Sequence, residues 1–245
     1  MRLFGLIGFP LSHSFSKKYF DTKFEKEQLT DCRFENFPLS SIRDLRPQVL
    51  DRYPELAGLA VTIPYKHEVL RYLDDTSALP ATFPACNCIV VKDGRLRGFN
   101  TDYIGFEKSI SPLLKPHHRL ALVLGTGGAA AAVTYALEKM GIAYQVVSRQ
   151  VKEGVSYTYE NLSDAIIKTH TVIINTTPLG MHPETETFPP LPYASITGDH
   201  LLYDLVYNPS LTMFLKKGAE QGAVIQNGEK MLLLQAEENW RIWNQ

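Results

Sequence analysis

A glycine-rich turn joins an apolar strand to a helix near the middle of this chain, and it restricts the fold to a narrow class. Residues 120–124 (LALVL) have a buried-strand pattern, residues 125–128 read GTGG, and an alanine-rich helical pattern continues to Met140. Glycine lets backbone N–H groups approach a pyrophosphate closely, and the helix N-terminus favours its negative charge. In the G-x-G-x-x-G template the third glycine falls at Ala130, whose small side chain still permits close packing of helix on strand. The segment predicts a dinucleotide-binding unit, and a glycine turn without a ligand is the alternative.

The end of the next strand, YQVV, indicates which dinucleotide is bound. An NAD site usually has Asp or Glu there to hold the ribose 2′-OH. Here Ser148 and Arg149 follow the strand, and the first carboxylate is Glu153. Because a guanidinium attracts a 2′-phosphate that a carboxylate would repel, the sequence favours NADP, with a solvated surface arginine as the alternative. The cofactor contacts expected from these two segments are Gly125, Thr126, Gly127, Gly128, Ala129, Ser148 and Arg149.

Short apolar strands alternate with amphipathic stretches along the whole chain, which predicts βαβ units and an α/β fold. In the first half we expect strands over 2–7, 33–36 and 58–62 and helices over 16–26, 42–52 and 65–72. The pair Asp93-Gly94 between two β-rich runs predicts a hairpin, since a tight turn needs positive φ. A linking helix is expected over 103–114. From Arg119 the pattern restarts, with later strands over 171–175, 201–206 and 223–226 and helices over 211–221 and 229–243. Two α/β domains with a cleft between them are predicted.

Composition excludes several classes of protein. The 25 Lys+Arg and 26 Asp+Glu residues nearly cancel, which argues against a general electrostatic grip on nucleic acid or an anionic membrane. No apolar run approaches the length of a membrane span, and the first residues lack a secretory h-region. The cysteines Cys32, Cys86 and Cys88 are odd in number and predict no disulfide framework, so a cytoplasmic location is expected. No histidine pair or second CxxC completes a metal site, so no metal is predicted.

Several motifs, spread from residue 8 to residue 236 in a fixed order, resemble those of the shikimate dehydrogenase family. They are GFPLSHSFS at 8–16, AVTIPYK at 60–66, ACN at 85–87, GFNTDYIG at 98–105, GTGGAAAA at 125–132, NTTPLGM at 175–181, YDLVYNP at 203–209 and GEKMLLLQA at 228–236. Each match is weak alone, but the ordered set is specific.

The resemblance implies an N-terminal substrate-binding domain with a mixed sheet (1–102), a linking helix (103–118) and a Rossmann-like NADP domain (119–228). The last helix (229–245) is expected to pack back on the first domain. The implied activity is the reversible, NADPH-dependent reduction of 3-dehydroshikimate to shikimate, a step of aromatic amino-acid biosynthesis. Small molecules are the implied partners, in a monomer or a homodimer.

Transferred position by position, the resemblance also implies the roles of individual residues. The substrate contacts would be Ser14, Ser16, Thr62, Asn87, Asp102, Tyr207 and Gln235. Lys66 and Asp102 would be the catalytic pair, with the Lys66 ammonium donating the proton to the carbonyl oxygen and Asp102 orienting it. Further cofactor contacts would be Thr176, Thr177, Gly228 and Met231.

Structural interpretations of the same residues remain open. Lys66 could be a solvated residue in the first turn of a helix, and Asp102 could be an N-cap. Ser14 and Ser16 alternate at period two, so an extended loop would direct both hydroxyls the same way. His13 is assigned a structural role, and Cys86 and Cys88 are read as buried small residues beside Asn87.

The chain departs from the family pattern at Lys17, Ala60 and Cys88, and the usual cofactor clamp is replaced by Ser148-Arg149-Gln150. The alternative function is a quinate/shikimate dehydrogenase-like enzyme that uses NAD as its cofactor or acts on a related hydroxy acid. That subclass should carry an acidic residue after YQVV. A non-catalytic NADP-binding module, which should lack the Lys66 and Asp102 pair, is ranked lower.

Overall fold

The computed structural model describes residues 1–11 and 14–245 of the chain. These residues divide into two compact units, each built around its own sheet. The first unit contains Met1–Thr101 together with Ala236–Gln245, and the second contains Asp102–Gln235. Within the described residues, no helix combines the length and apolarity needed to cross a bilayer.

The first unit contains a five-stranded mixed sheet in the order β2-β1-β3-β4-β5. Its strands are β1 (Arg2–Gly8), β2 (Cys32–Pro38), β3 (Leu56–Val61), β4 (Cys88–Lys92) and β5 (Arg95–Phe99). β1 pairs in parallel with β2 and β3, whereas β4 runs antiparallel to both of its neighbours. The predicted β4–β5 hairpin is confirmed, and both Asp93 and Gly94 at its turn have positive φ, at 52° and 72°.

Helix α1 (Phe15–Lys26) covers this sheet through Phe20 and Phe24. These rings join an aromatic cluster with Phe4 of β1, which also stacks on Trp243 at a centroid distance of 5.0 Å. Trp243 comes from the end of the last helix, and its indole Nε1 donates a hydrogen bond to the Ile89 carbonyl at 3.0 Å. The final residues of the chain are therefore part of the core of the first unit.

Two predicted helices of the first unit are helical only in part, and neither is an α-helix. Over 42–52 the chain forms a 3₁₀ turn (Ile42–Asp44) and then a π-helical segment (Leu45–Leu50), because Pro47 within it offers no backbone donor. Over 65–72 it forms turns and then a 3₁₀ helix (Glu68–Tyr72). There the Lys66 carbonyl accepts from the Cys86 N–H at 2.8 Å, so that carbonyl is used by a distant segment rather than by a helix.

The second unit contains an all-parallel six-stranded sheet in the order β11-β10-β9-β6-β7-β8. Its strands are β6 (Leu120–Leu124), β7 (Ala143–Ser148), β8 (Tyr157–Thr158), β9 (Val172–Asn175), β10 (Leu201–Asp204) and β11 (Val224–Gln226). Its helices are α2 (Asp102–Ile110), α3 (Gly128–Lys139), α4 (Asp164–Thr169), α5 (Met213–Glu220) and the start of α6 (Glu229–Trp243). Apart from the half-buried Leu120, the side chains of β6 and β9 are fully buried, which explains why these strands have continuous apolar sequences.

The α/β fold class with one mixed and one parallel sheet is confirmed. One strand and one α-helix of the second unit were missed: β8 is only two residues long, and α4 is a six-residue helix capped by Ser163. Segments this short carry too few apolar positions to show a period.

Candidate active site

The glycine turn between β6 and α3 has the geometry that its sequence predicts. Gly125 has φ +110°, and a Cβ at this position would lie 2.7 Å from the Thr176 Oγ1 atom. Gly127 is the N-cap of α3, and apart from Gly127 and its two chain neighbours no described residue has an atom within 4 Å of where a Cβ would lie. Gly125 is thus required by packing, whereas Gly127 leaves the backbone open to a ligand at a helix N-terminus.

The register of the sheet brings three strand ends to one edge. Leu124 is paired with Val147 of β7 and with Asn175 of β9, so β6, β7 and β9 end side by side. The Thr176 Oγ1 donates to the Leu124 carbonyl at 2.6 Å, and the Thr177 Oγ1 donates to the Asn175 Oδ1 at 2.6 Å. Both threonine hydroxyl protons are thus used within the protein, and the Thr177 Oγ1 also accepts from the Leu179 N–H at 3.3 Å, so a ligand would meet only the remaining lone pairs of these hydroxyls.

A cavity of about 300 Å³ lies at this edge. It is lined by the glycine turn, by Ser148 and Arg149 after β7, by residues 176–179 after β9, and by Tyr159. Of the described residues that line it, none is an aspartate or a glutamate. Gly128 and Ala129 are exposed in the first turn of α3 and lie outside this lining. Arg149 gives the cavity a cation and Ser148 gives it a hydroxyl. Both groups can bind a phosphate, so the residues of the cavity fit NADP.

A buried carboxylate supports the edge from behind. Asp204 at the end of β10 is fully buried and accepts from the Asn175 Nδ2 at 3.0 Å and from the Thr212 Oγ1 at 2.6 Å. Burial raises the pKa of Asp204 to about 6, although these donors act in the opposite direction. Asp204 fixes the amide of Asn175, which in turn holds Thr177. The motif YDLVYNP contained this aspartate, but its role follows only from the contact across strands β9 and β10.

Two predicted cofactor residues lie on the segment before and within α6. Gly228 donates its N–H to the Val206 carbonyl at 3.2 Å, and a Cβ there would overlap the Leu205 carbonyl oxygen. Met231 is partly buried against the core of the second unit. The backbone of α6 approaches α2 closely at Gly105, where a Cβ would lie 2.7 Å from the Met231 carbonyl oxygen.

Lys66 and Asn87 lie on the two segments that follow β3 and precede β4. Besides the bond between the Lys66 carbonyl and Cys86, the Val61 N–H donates to the Asn87 carbonyl at 2.9 Å. Lys66 and Thr62 are both partly buried. The loop that carries Lys66 is therefore joined by its backbone to the segment that carries Asn87.

The Asn87 side chain is oriented by a network that the sequence did not reveal. Its Oδ1 accepts from the Thr101 N–H at 2.6 Å, and its Nδ2 donates to the Thr101 Oγ1 at 2.9 Å. The Thr101 hydroxyl donates to the Asn239 Oδ1 at 2.7 Å. All three residues are buried in the first unit, and Asn239 is separated from Thr101 by 138 positions. No local motif could have indicated such a contact.

The extended loop predicted for Ser14 and Ser16 is wrong. Ser14 is the N-cap of α1, its Oγ accepting from the Lys17 N–H at 3.2 Å, and Ser16 lies inside the first helical turn. A serine next to an aromatic helical run is a strong N-cap, which explains the early helix start. Both serines therefore belong to a helix N-terminus, where anionic groups are favoured. His13 lies outside the described residues.

The remaining predicted residues belong to the second unit. Helix α2 begins at Asp102 itself, so Asp102 lies in the first turn rather than at an N-cap position. Tyr207 is exposed after β10, and the Gln235 Nε2 donates to the Leu232 carbonyl within α6 at 2.8 Å.

In the first unit, Cys86 and Cys88 are fully buried beside Asn87, as predicted. Burial raises the pKa of the Cys88 thiol well above its usual value.

A parallel sheet with a glycine turn, a helix N-terminus and a cationic cavity at its carboxyl edge defines a Rossmann-like dinucleotide-binding unit. Comparisons with known proteins agree with this class. Residues 6–89 match the family model of the shikimate dehydrogenase substrate binding domain. The chain is 36% identical to a shikimate dehydrogenase (NADP(+)) of Carboxydothermus hydrogenoformans, over 99% of this chain and 91% of the relative.

Two solved structures cover 99% of this chain and 93% of their own at 27% identity. Shikimate 5-dehydrogenase from Thermus thermophilus, in complex with NADP(H) and shikimate, superimposes with a TM-score of 0.85. Quinate dehydrogenase from Corynebacterium glutamicum, in complex with NAD, superimposes with a TM-score of 0.86. The chain belongs to the shikimate dehydrogenase family, with an N-terminal substrate-binding domain and a Rossmann-like domain.

Proposed function

We propose that this chain is an NADP-dependent shikimate dehydrogenase, which reversibly reduces the ring ketone of 3-dehydroshikimate to the hydroxyl of shikimate. The observation that carries the proposal is the extent of the similarity. It covers 99% of the chain, so that the Lys66 and Asp102 motifs and the glycine turn all fall within one match. In the organism the reaction would serve aromatic amino-acid biosynthesis.

Lys66 is proposed as the proton donor. NADPH supplies the hydride to the carbonyl carbon when it is bound, so the protein must supply one proton to the carbonyl oxygen. A lysine ammonium can donate that proton and stabilise the developing alkoxide, and its amine form can accept it in the reverse direction. The backbone bond from Lys66 to Cys86 gives the loop a defined anchor, which such positioning requires.

Asp102 and the polar side chains of the motifs are proposed as the groups that orient the ring. Asp102 would accept a hydrogen bond from a substrate hydroxyl and orient the Lys66 ammonium. Asn87, held by Thr101, offers a fixed amide, and Ser14 and Ser16 offer hydroxyls at the N-terminus of α1, which suits a carboxylate. The other proposed substrate contacts are Thr62, Tyr207 and Gln235.

Arg149 supports NADP as the cofactor. It follows β7, where an NAD site usually has a carboxylate, and the cavity that it lines has no acidic residue among the described ones. The glycine turn with Thr126 and Gly127 would hold the pyrophosphate. Gly228 and Met231 are proposed beside the nicotinamide.

A spectrophotometric assay with the purified full chain tests the reaction. NADPH oxidation is followed at 340 nm with 3-dehydroshikimate, and the assay is repeated with NADH and with 3-dehydroquinate. We expect the highest kcat/KM for the pair NADPH and 3-dehydroshikimate. No turnover of either ring ketone with either cofactor would refute the enzyme function.

The second candidate is a quinate dehydrogenase-like enzyme that uses NAD. The similarity to the NAD complex of quinate dehydrogenase favours it, because that match is as extensive as the match to the shikimate enzyme. Ser148 and Arg149 oppose it, since no carboxylate follows β7. Faster turnover with NADH and 3-dehydroquinate would establish this candidate instead.

We also infer a cytoplasmic protein that acts as a monomer or a homodimer on small molecules. The cysteines Cys32, Cys86 and Cys88 are all free thiols, which suits a reducing compartment. Fractionation of cells and light scattering of the purified chain test these two inferences.

A further inference from the structure

Tyr159 has a buried hydroxyl to which neither the glycine turn nor the cofactor clamp at residues 148–150 assigns a role. It begins the 3₁₀ turn Tyr159–Asn161 and lines the cavity that also contains Ser148 and Arg149. Its hydroxyl oxygen is buried, yet it has no hydrogen-bond partner among residues 1–11 and 14–245. Burying such a group without a partner carries a desolvation penalty, so the fold retains it at a cost.

The register of the sheet puts Tyr159 next to Arg149. Strands β7 and β8 are parallel, and Ser148 is paired with Thr158. The residues that follow this pair are Arg149 and Tyr159, so the two side chains leave neighbouring strand ends at the same edge. The two-residue strand β8 therefore brings a residue ten positions away into the site of the cofactor clamp.

The two side chains have complementary properties. Burial raises the pKa of the Tyr159 hydroxyl to about 12, although the nearby Arg149 cation acts in the opposite direction. The hydroxyl is thus protonated at neutral pH and can donate a hydrogen bond. A neutral donor beside a guanidinium suits a phosphate monoester, which only accepts hydrogen bonds and carries more than one negative charge near neutrality.

We propose that the Tyr159 hydroxyl donates a hydrogen bond to the 2′-phosphate of NADP beside Arg149, and that it thereby helps to select NADP over NAD. The inference rests on the proposed function only for the identity of the cofactor. Tyr159 is a specificity residue for binding and takes no part in the transfer of hydride or proton. Because hydrogen bonds to charged acceptors are the stronger ones, the contact should discriminate a phosphate from the 2′-OH of NAD.

The variant Tyr159→Phe tests this role by calorimetric titration of the full chain. Adenosine 2′,5′-bisphosphate and 5′-AMP are the probes, since they differ only in the 2′-phosphate. We expect affinity for the bisphosphate to fall roughly tenfold or more, while affinity for 5′-AMP stays within about twofold. The melting temperature without ligand should be unchanged or higher, because an unpartnered hydroxyl is removed.

Tyr157→Phe is the matched control. Tyr157 lies on β8 two positions earlier, packs edge-on against His170 and is outside the cavity lining. Removing the Tyr157 hydroxyl should change neither the affinity for adenosine 2′,5′-bisphosphate nor the affinity for 5′-AMP.

Three results for Tyr159→Phe would overturn the proposal. They are an unchanged affinity for the bisphosphate, an equal loss for both probes, and a loss accompanied by a lower melting temperature. The proposed reaction fails by a different result, namely a wild-type chain that binds NADPH but does not oxidise it with 3-dehydroshikimate.

Discussion

Two regions of the molecule are held in different ways. One is the glycine-turn edge of the second unit, where β6, β7 and β9 end, and the other is the Lys66 segment of the first unit, residues 62–67 between β3 and the 3₁₀ helix. At the edge, neighbouring parallel strands align Leu124, Val147 and Asn175, and the functional groups follow directly after the strand ends. The Lys66 segment has no regular pairing and is held by single bonds from remote residues, such as Cys86. The cofactor edge is thus a consequence of sheet register, whereas the substrate segment depends on individual long-range hydrogen bonds.

This difference has a consequence for what a substitution does. At the sheet edge, the effect of a substitution depends on the φ angle of the residue and on the room around its side chain. A strained or crowded position should lose stability, and an open one should lose cofactor affinity. In the Lys66 segment, the Lys66 carbonyl is anchored through the backbone, so the Lys66 side chain can be replaced while this anchor persists. The neighbouring side chains are anchors themselves, because the Tyr65 hydroxyl donates to the Leu39 carbonyl and the His67 ring bonds to the Pro84 carbonyl. Substitutions in the two regions should therefore separate effects on the reaction from effects on the stability of the fold.

The largest effect is expected for Lys66→Ala. If Lys66 is the proton donor, kcat for 3-dehydroshikimate reduction should fall roughly 100- to 10,000-fold, the range for loss of a general acid. The bond from the Lys66 carbonyl to Cys86 is unaffected, so the fold and NADPH affinity should persist. Steady-state kinetics and NADPH fluorescence titration measure both quantities.

Two further variants sharpen this prediction. Lys66→Arg keeps the positive charge but removes an acid of suitable strength, so it should recover substrate affinity without kcat. Lys92→Ala changes an exposed lysine of β4 in the same unit and should behave as the wild type. A kcat for Lys66→Ala within about threefold of the wild type would remove Lys66 from the mechanism.

Asp204→Asn should produce the next largest effect, through pH. Burial raises the pKa of Asp204 to about 6, so the folded chain holds a proton that the unfolded chain releases near pH 4. The stability that this proton provides is present below about pH 4 and is lost as pH rises through 6, by on the order of 3 kcal/mol. Urea unfolding between pH 4 and 7 measures it.

The amide variant keeps nearly the same shape but does not titrate. Its unfolding free energy should lack the decline over this interval, and the difference between the two pH profiles isolates Asp204 from other groups. Parallel profiles for the wild type and the variant would mean that Asp204 does not cause the decline in unfolding free energy between pH 4 and 7.

Gly125 and Gly127 form a matched pair at the sheet edge. Gly125→Ala forces a Cβ to φ +110° and to 2.7 Å from the Thr176 Oγ1, so we expect a loss of about 1–3 kcal/mol of stability. Gly127→Ala has φ −84° and open space, so stability should hold while the new methyl group lowers NADPH affinity. Thermal unfolding and NADPH titration separate the two, and equal melting temperatures would contradict the assignment.

The sequence predicted the regular parts of the site and missed the irregular ones. Gly125 and Arg149 follow apolar strands, and the strand–turn–helix order alone predicts their placement. Tyr159 was missed because it depends on the pairing of a two-residue strand. Thr101 and Asn239 were missed because their contact joins positions far apart in the chain. The helix predicted over 65–72 begins only at Glu68 for the same reason, since its pattern does not show that the Cys86 N–H donates to the Lys66 carbonyl.

The smallest effect is expected for Ser14→Ala, and it distinguishes a structural cap from a binding residue. Ser14 caps α1 by accepting from Lys17, and Ser163 caps α4 by accepting from Ile166 at 3.4 Å. Removing either cap should cost about 1 kcal/mol of stability. Only Ser14→Ala should also raise KM for 3-dehydroshikimate, because only that hydroxyl is proposed to contact substrate. Equal KM values in the two variants, with equal losses of stability, would reduce Ser14 to a helix cap and leave Ser16 as the hydroxyl proposed at this helix end.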